Sequence, residues 1–374
     1  MNITAAAIHP YRLPLRASWL TATGGFGKRQ GWLLRLDGES GARGYGDCAP
    51  LPGKPAETPV HARSRLGAQA RRLIGMSPED ALQLISTDFG DPGDAPAARL
   101  AVETALLDLA AQAAGRSLAA GLRANQPGLG QPPLPTDVAV NAALGSLAWL
   151  ADESVRTACA AGFRVLKLKL GVASIDDEIA RLRRVAALLP PGVQLRLDAN
   201  CAWNLAAAES FLHACADLPI EMLEEPLAQP TLQQLHRLQA QTKIAIGIDE
   251  SASLFDAERL MDARPVRRLV IKPTRCGGLL AALALAQRAL GAGLECVTTS
   301  SIESACGVIA TAHLAAAIDN RLAHGLATST WLAADTGPPP AVVNGRLLLP
   351  SKAGLGFAPH RGIVFSPLAR RAPG

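Results

Sequence analysis

The hydrophobic pattern divides the chain into two regimes. Ile3 to Leu15 and Trp32 to Leu36 carry β-branched and aromatic residues and predict strands. Ser18 to Gly31, between them, is rich in Gly, Thr and Lys and predicts a mobile loop. A Gly/Pro cluster runs from Gly44 to Gly53, and helical periodicity then covers Thr58–Ile74, Ser77–Ile85 and Ala95–Ala113. Strands followed by a run of helices predict a small α+β domain over residues 1–125. The Pro/Gly-rich stretch Gly121 to Thr136 predicts the link to a second domain.

Over residues 126–339 short apolar runs alternate with Ala/Leu-rich helical segments. The runs are Val138–Ala142, Val165–Leu170, Val193–Leu197, Glu221–Leu223, Ile244–Ile248, Leu269–Ile271, Leu294–Thr298 and Arg321–Gly325. Eight βα units over roughly 200 residues predict an α/β fold, a modified TIM-like (β/α)8 barrel. An open doubly wound sheet is the competing architecture, but no GxGxxG follows the first strand. After Pro338-Pro339-Pro340 the chain is strand-like and Gly-rich again, so residues 340–374 are expected to rejoin the N-terminal domain.

Composition narrows the function classes. Of 374 residues 49% are hydrophobic, enough for a sizeable core, and Lys+Arg 37 against Asp+Glu 32 leaves only +5. With no basic tract or aromatic-interleaved patch, nucleic acid is not an expected partner. No apolar run approaches the roughly 18–20 residues that span a bilayer, and Met1 to Pro10 lacks a signal-peptide pattern. Seven scattered cysteines without a CxxC read as reduced thiols, so a cytoplasmic location and no zinc knuckle are expected. Nothing in the pattern argues against a homo-oligomer.

The chemistry is sought at the C-terminal ends of the barrel strands. The second strand ends Lys167-Leu168-Lys169, and a period of two puts both ammonium groups on one side. The third ends Arg196-Leu197-Asp198-Ala199-Asn200, where Arg196, Asp198 and Asn200 alternate likewise. The fourth ends Glu224-Glu225-Pro226, the fifth Asp249-Glu250-Ser251 and the sixth Lys272-Pro273. Asp198, Glu224 and Asp249 therefore close three consecutive strands, about 4.8 Å apart, and can converge on one cation. Oxygen ligands without His or Cys select Mg²⁺, or Mn²⁺, over zinc. Glu225 and Glu250, one residue away, are alternative ligands that only the strand pleat disfavours. Lys169 and Lys272 stand half a turn of the barrel apart and would face each other across the cation. Such a site suits proton abstraction beside the carboxylate of a small-molecule substrate. Lys167 and a divalent cation beside Lys169 are expected to lower the lysine pKa toward working pH. Singly, each group reads as a solvated face or a helix cap. Charged residues ending five successive strands do not. Asn200 is a further candidate for substrate contact. So are Ser300 and Ser301, for which turn capping is an equal reading. His324 reads as a core or hydrogen-bonding residue, and Cys276 and Cys306 as small buried side chains.

The constellation resembles the enolase superfamily in its muconate lactonizing enzyme branch. Lys167-Leu168-Lys169, Asp198-Ala199-Asn200, Glu224-Glu225-Pro226, Asp249-Glu250-Ser251 and Lys272 carry the resemblance. Gly44-Tyr45-Gly46-Asp47 and Val102 to Ala110 match the family's N-terminal capping domain, and Leu349-Pro350 and Gly354-Leu355-Gly356 its C-terminal return. Within the branch, Ala49 to Gly53, Leu195 to Asn200, Leu269 to Thr274 and Ser300 to Ser304 are similar to the o-succinylbenzoate synthases of the menaquinone pathway. That resemblance implies a syn elimination of water from 2-succinyl-6-hydroxy-2,4-cyclohexadiene-1-carboxylate. It implies Lys169 as the base, a cationic Lys272, Arg196 setting the electrostatics around Lys169 or the substrate, and residues 18–31 closing over the site. Opposed lysines could also racemise an N-acylamino acid. Dipeptide epimerases of the branch carry an Asp-x-Asp after the eighth strand. Here Gly325 to Thr330 offers no carboxylate. Nothing specific supports muconate cycloisomerisation. A barrel decayed to a ligand-binding role would lack one of the lysines or carboxylates, and all are present.

Overall fold

A computed structural model describes residues 1–21, 24–51, 57–88, 93–124 and 133–369. The expected boundary at 125/126 lies outside these residues. So do Pro52 and Gly53 of the matched Ala49–Gly53 segment.

Strands β1 (Ile3–Thr21), β2 (Gly24–Gly38) and β3 (Arg43–Cys48) form an antiparallel sheet. Helices α1 (Pro59–Arg72), α2 (Pro78–Asp88), α3 (Pro96–Ala113) and α4 (Leu118–Ala124) follow. α3 is buried on nearly every face, and β3 lies so close to it that a Cβ on Gly46 would stand 1.8 Å from the Ala101 carbonyl oxygen. Glycine is required there by backbone contact.

Next come β4 (Asp137–Ala139), β5 (Ala142–Ser146), α5 (Asp152–Ala160), β6 (Val165–Lys169), α6 (Ile175–Ala186) and β7 (Gln194–Asp198). α7 (Leu205–Ala214), β8 (Ile220–Glu224), α8 (Leu232–Ala240), β9 (Ala245–Ile248) and α9 (Ala257–Ala263) continue the alternation. β10 (Arg268–Ile271), α10 (Pro273–Cys276), α11 (Leu279–Gly291), β11 (Glu295–Thr298) and α12 (Ala305–Ile318) complete it. Strands β5 to β11 form one parallel sheet in sequence order. Its two edges meet through His324 and Gly325, which bridge in parallel to Val140 and Thr299. The chain ends with β12 (Val342–Val343), β13 (Arg346–Leu348) and β14 (Ser366–Pro367); β12, β13 and β4 form a small sheet, and β14 adds to β1.

Three elements differ from the sequence expectation. Residues 18–21 and 24–31 are not an irregular loop: Trp19 pairs with Phe26, extending the antiparallel pairing of β1 and β2, and residues 22 and 23 lie outside the described residues. Cross-strand pairing outweighs the local glycine content there. The run Val138–Ala142 splits, because β4 is claimed by β13 and the barrel strand starts at Ala142. The eighth strand shrinks to two bridging residues, and a Cβ on Gly325 would approach Thr299 Oγ1 to 2.5 Å.

The N-terminal domain is tied to the barrel by buried carboxylates that accept backbone N–H groups. Glu103 of α3 accepts from Leu280 N at 2.9 Å, at the start of α11. Asp47 accepts from Ser304 N and Ser304 Oγ (2.9 and 2.7 Å), just before α12, and from Tyr11 OH at 2.6 Å. Asp108 accepts from Leu355 N and Tyr45 N (2.7 and 3.0 Å). Asp47 and Glu103 occupy orphan donors at the positive ends of α12 and α11, and Asp108 ties the C-terminal return to β3. No helix among the described residues is long and apolar enough to cross a membrane.

His313 of α12 is fully buried beside this junction. Its Nδ1 accepts from Ala119 N (3.3 Å), so the proton sits on Nε2, which donates to the Leu355 carbonyl (3.1 Å). Burial pushes its pKa down to about 4, against the pull of the Leu355 bond. A folded pKa below the unfolded value near 6.5 means stability is full above that pH and is lost as pH falls toward 4. The acid limb of stability between these pH values should therefore flatten by about one proton in His313→Gln. Urea titrations across that range check this, and an unchanged slope would contradict the assignment.

Candidate active site

Strand register assembles the charged groups. Lys169 of β6 lies opposite Asp198 of β7, and Asp198 lies opposite Glu224 of β8. Asp249 directly follows β9, and Lys272 directly follows β10. Apolar neighbours on the other strand face, such as Leu168, Leu197 and Leu223, pack against the helices. The pleat therefore sends the polar set inward.

The three carboxylates are deeply buried, with exposures of 1% for Asp198, 1% for Glu224 and 7% for Asp249. Each is met by cations. Lys167 Nζ bridges Glu224 Oε2 (2.5 Å) and Asp198 Oδ2 (2.9 Å). Lys169 Nζ lies 2.5 Å from the same Asp198 oxygen. Lys272 pairs with Asp249 Oδ2, and Arg275 spans Asp249 (2.9 Å) and Glu250 (2.6 Å). Burial alone would raise the Asp198 pKa, but Lys167 and Lys169 outweigh it and hold it far below the usual carboxylate range. Burial, then the Asp198 charge, push Glu224 up to about 7. Burial works against charge on Lys167, but Asp198 and Glu224 overcome it and raise its pKa. Lys272 is raised in the same way by Asp249 and Glu250. Carboxylates in direct contact with these two ammonium groups, Asp198 and Glu224 with Lys167 and Asp249 with Lys272, thus outweigh their burial.

The donor set is all oxygen and strongly anionic, and Lys167 Nζ marks a point where a cation bridges two of the three carboxylates. That chemistry fits a hard divalent ion. Among the described residues no three Asp, Glu, His or Cys side chains are already gathered as a metal cage, because ammonium and guanidinium groups lie between them. Glu225 is not available as a ligand: its Oε1 accepts from Asp249 N (2.6 Å) and Ser251 N (2.8 Å), and its Oε2 from Ser251 Oγ (2.5 Å) and Cys201 Sγ (3.3 Å). Glu250 is turned toward Arg275.

The remaining candidates are placed elsewhere. Arg196 does not reach Lys169. Its Nε pairs with Glu221 (2.6 Å) and its Nη1 with Asn141 Oδ1 (3.2 Å), in a buried ion network with Arg268 and Glu295. It lies two residues before Asp198 along β7, so its inward side chain fills the barrel one layer below the carboxylates. Asn200 has a left-handed backbone (φ 48°), donates its N–H to Asp198 Oδ1 (3.0 Å), and keeps a buried, unpartnered Oδ1. Ser300 Oγ pairs with Thr328 Oγ1 at 2.5 Å, across to the loop after the eighth strand position, whereas Ser301 N donates to Glu303 at 2.5 Å within its own turn. His324 is buried, its Nδ1 accepting from Thr298 N (3.0 Å).

Three residues were not singled out from sequence. Arg275 lies on the single helical turn after Lys272, so the spacing alone could have placed it beside Asp249. Trp19 in the hairpin stands with its ring 6.0 Å from Lys169 Nζ and packs edge-on against Trp331, 4.7 Å between centroids. Trp331 is fixed by donating Nε1–H to the Ala143 carbonyl at 3.0 Å. That pairing depends on the hairpin and carried no local signal.

Residues 149–363 match the family described as enolase C-terminal domain-like, and residues 3–92 match the MenC N-terminal domain. An o-succinylbenzoate synthase of Thermosynechococcus vestitus is 32% identical over 331 residues, covering 87% of this chain and 92% of that protein. A hydrophobic dipeptide epimerase of Enterococcus faecalis is 29% identical over 327 residues, covering 86% and 88%. The crystal structure of the dipeptide epimerase from Enterococcus faecalis complexed with Mg and the dipeptide L-Leu-L-Tyr superposes with a TM-score of 0.83 at 28% identity, covering 96% of this chain and 100% of that one.

If Arg196 is a floor residue, Arg196→Ala should destabilise the fold by about 3 kcal/mol, because it strips a buried ion network of one partner. Urea unfolding measures this, and unaltered stability with selectively slowed chemistry would contradict the placement.

Proposed function

The chain belongs to the enolase superfamily, in its mandelate racemase/muconate lactonizing enzyme branch, and on that premise we propose that it is an o-succinylbenzoate synthase. The observation that carries this reading is the charge around the lysines. Lys169, Lys272 and Arg275 face the site, and Gly325 to Thr330, beside Ser300, supplies hydroxyl and apolar groups but no carboxylate. A substrate ammonium has no counter-charge in that stretch. A dianion such as 2-succinyl-6-hydroxy-2,4-cyclohexadiene-1-carboxylate is complementary. The match to the MenC N-terminal domain and the Thermosynechococcus relative support the same choice.

In this reaction Lys169 takes the proton from the carbon bearing the ring carboxylate, and the C–H electrons form the new ring double bond. The hydroxyl on the adjacent carbon leaves, receives that proton from Lys169, and departs as water. Substrate and product differ by H₂O, and no oxidant is needed. Lys272, across the barrel, stays protonated and faces the developing negative charge. Trp19 and Trp331 cover the Lys169 side and limit water. Asp198, Glu224 and Asp249 would hold a divalent cation, Mg²⁺ as in the Enterococcus epimerase or Mn²⁺ by the same donor chemistry, which neutralises charge on the substrate carboxylate.

A second reading is N-acylamino acid racemisation. It is favoured by the placement of Lys169 and Lys272 after strands half a barrel apart, which gives one base to each face of an α-carbon.

The test is the loss of diene absorbance with the succinyl-cyclohexadiene carboxylate and Mg²⁺. Wild type should turn over, Lys169→Ala should lose about 10³-fold or more, and Lys272→Ala about 10²–10³-fold. No turnover by folded wild type, with deuterium exchange at the α-carbon of N-acylamino acids instead, would replace the synthase by the racemase. Mg²⁺ should also raise the thermal midpoint of wild type by linkage, and Asp198→Asn should abolish that gain.

A further inference from the structure

Glu225 connects the chain segments that carry all three buried carboxylates. It directly follows Glu224. Its carboxylate accepts from Asp249 N (2.6 Å) and from Ser251 N and Oγ (2.8 and 2.5 Å) beyond β9. It also accepts from Cys201 Sγ (3.3 Å), three residues past Asp198, while the Glu225 carbonyl accepts from Cys201 N at 2.7 Å. The side chain is 1% exposed, and both oxygens are occupied. The backbone at this junction is under strain: Asn200, Cys201 and Glu225 all have left-handed φ values, 48°, 62° and 48°, although none is glycine. Such conformations are unfavourable for residues with a Cβ and persist where surrounding bonds over-determine them. Here the Cys201–Glu225 bonds on one side, and the Asp249 and Ser251 bonds on the other, supply that determination.

We propose that Glu225 is a positioning residue that sets the mutual placement of Asp198, Glu224 and Asp249 for binding a divalent cation, by hydrogen-bond geometry and not as a ligand. The inference rests on the cation role proposed above for those three carboxylates. Its logic is that of an outer shell, which orients ligands and typically changes metal affinity by about 10–100-fold when removed. A glutamine at this position keeps an acceptor for the Asp249 and Ser251 N–H groups, and its NH₂ can donate to the Ser251 hydroxyl, whose lone pairs are then used instead of its proton. An alanine keeps none of these bonds. Geometry and charge are thereby separated.

The experiment is Mn²⁺ affinity of the full chain, read from the free-ion EPR signal, with circular dichroism confirming the fold. Glu225→Ala should weaken Mn²⁺ binding about 10–100-fold, and Glu225→Gln by no more than about 3-fold. Ser251→Ala, which removes one bond to Oε2, should weaken it about 3-fold and serves if Glu225→Ala does not fold. Unchanged affinity in a folded Glu225→Ala, or in Ser251→Ala, overturns the proposal. Equal loss in Glu225→Gln and Glu225→Ala also overturns it, because the effect would then be one of charge. If wild type itself binds no Mn²⁺, the cation reading fails as a whole, a result distinct from wild-type binding that Glu225 does not affect.

Discussion

Three carboxylates buried at the ends of neighbouring parallel strands cannot remain charged without cations in contact. That constraint organises the barrel mouth. Asp198, Glu224 and Asp249 draw in Lys167, Lys169, Lys272 and Arg275, and the same contacts raise the pKa of Lys167 and Lys272. An ordinary buried ion pair of this kind contributes little to net stability, since desolvation offsets attraction. Its presence at the barrel mouth, above the separate Arg196–Glu221–Arg268 network, is therefore better explained by what the carboxylates do than by what they stabilise.

The N-terminal domain serves the same site at a distance. Asp47 and Glu103 accept backbone N–H groups from barrel elements, Asp108 accepts from the C-terminal return at Leu355, and Arg29, fully buried in β2, donates to the carbonyls of Ala49, Pro50 and Ile302. The hairpin that carries Trp19 is thereby anchored beside the loop after β11. Polar groups paired to backbone at this junction make the covering of the site part of the fold.

Most of this arrangement was legible in sequence because it depends on period and adjacency. Strand ends identify themselves by apolar runs, and a pleat of two sorts Lys167 and Lys169 from Leu168, or Asp198 from Leu197. What was not legible depends on partners far along the chain. Residues 18–21 and 24–31 lack a strand pattern of their own and become paired strands. Arg196 shares the alternation of Asp198 yet lies a layer lower, where Glu221 and Asn141 claim it. The pKa of Lys167 follows from two carboxylates on other strands, which a reading of one strand could not weigh. The pleat already set Glu224 apart from Glu225, but the partners of Glu225, Asp249 and Ser251, lie on another strand end and gave no local signal.

The central claim is that Asp198, Glu224 and Asp249 share one divalent cation, and anomalous diffraction from a crystal grown with Mn²⁺ tests it most directly. The account predicts one strong peak bounded by these three carboxylates, with Lys167 Nζ withdrawn from its bridge between Asp198 and Glu224. A peak on Glu225 or Glu250, or no peak with the lysine bridge intact, would contradict it.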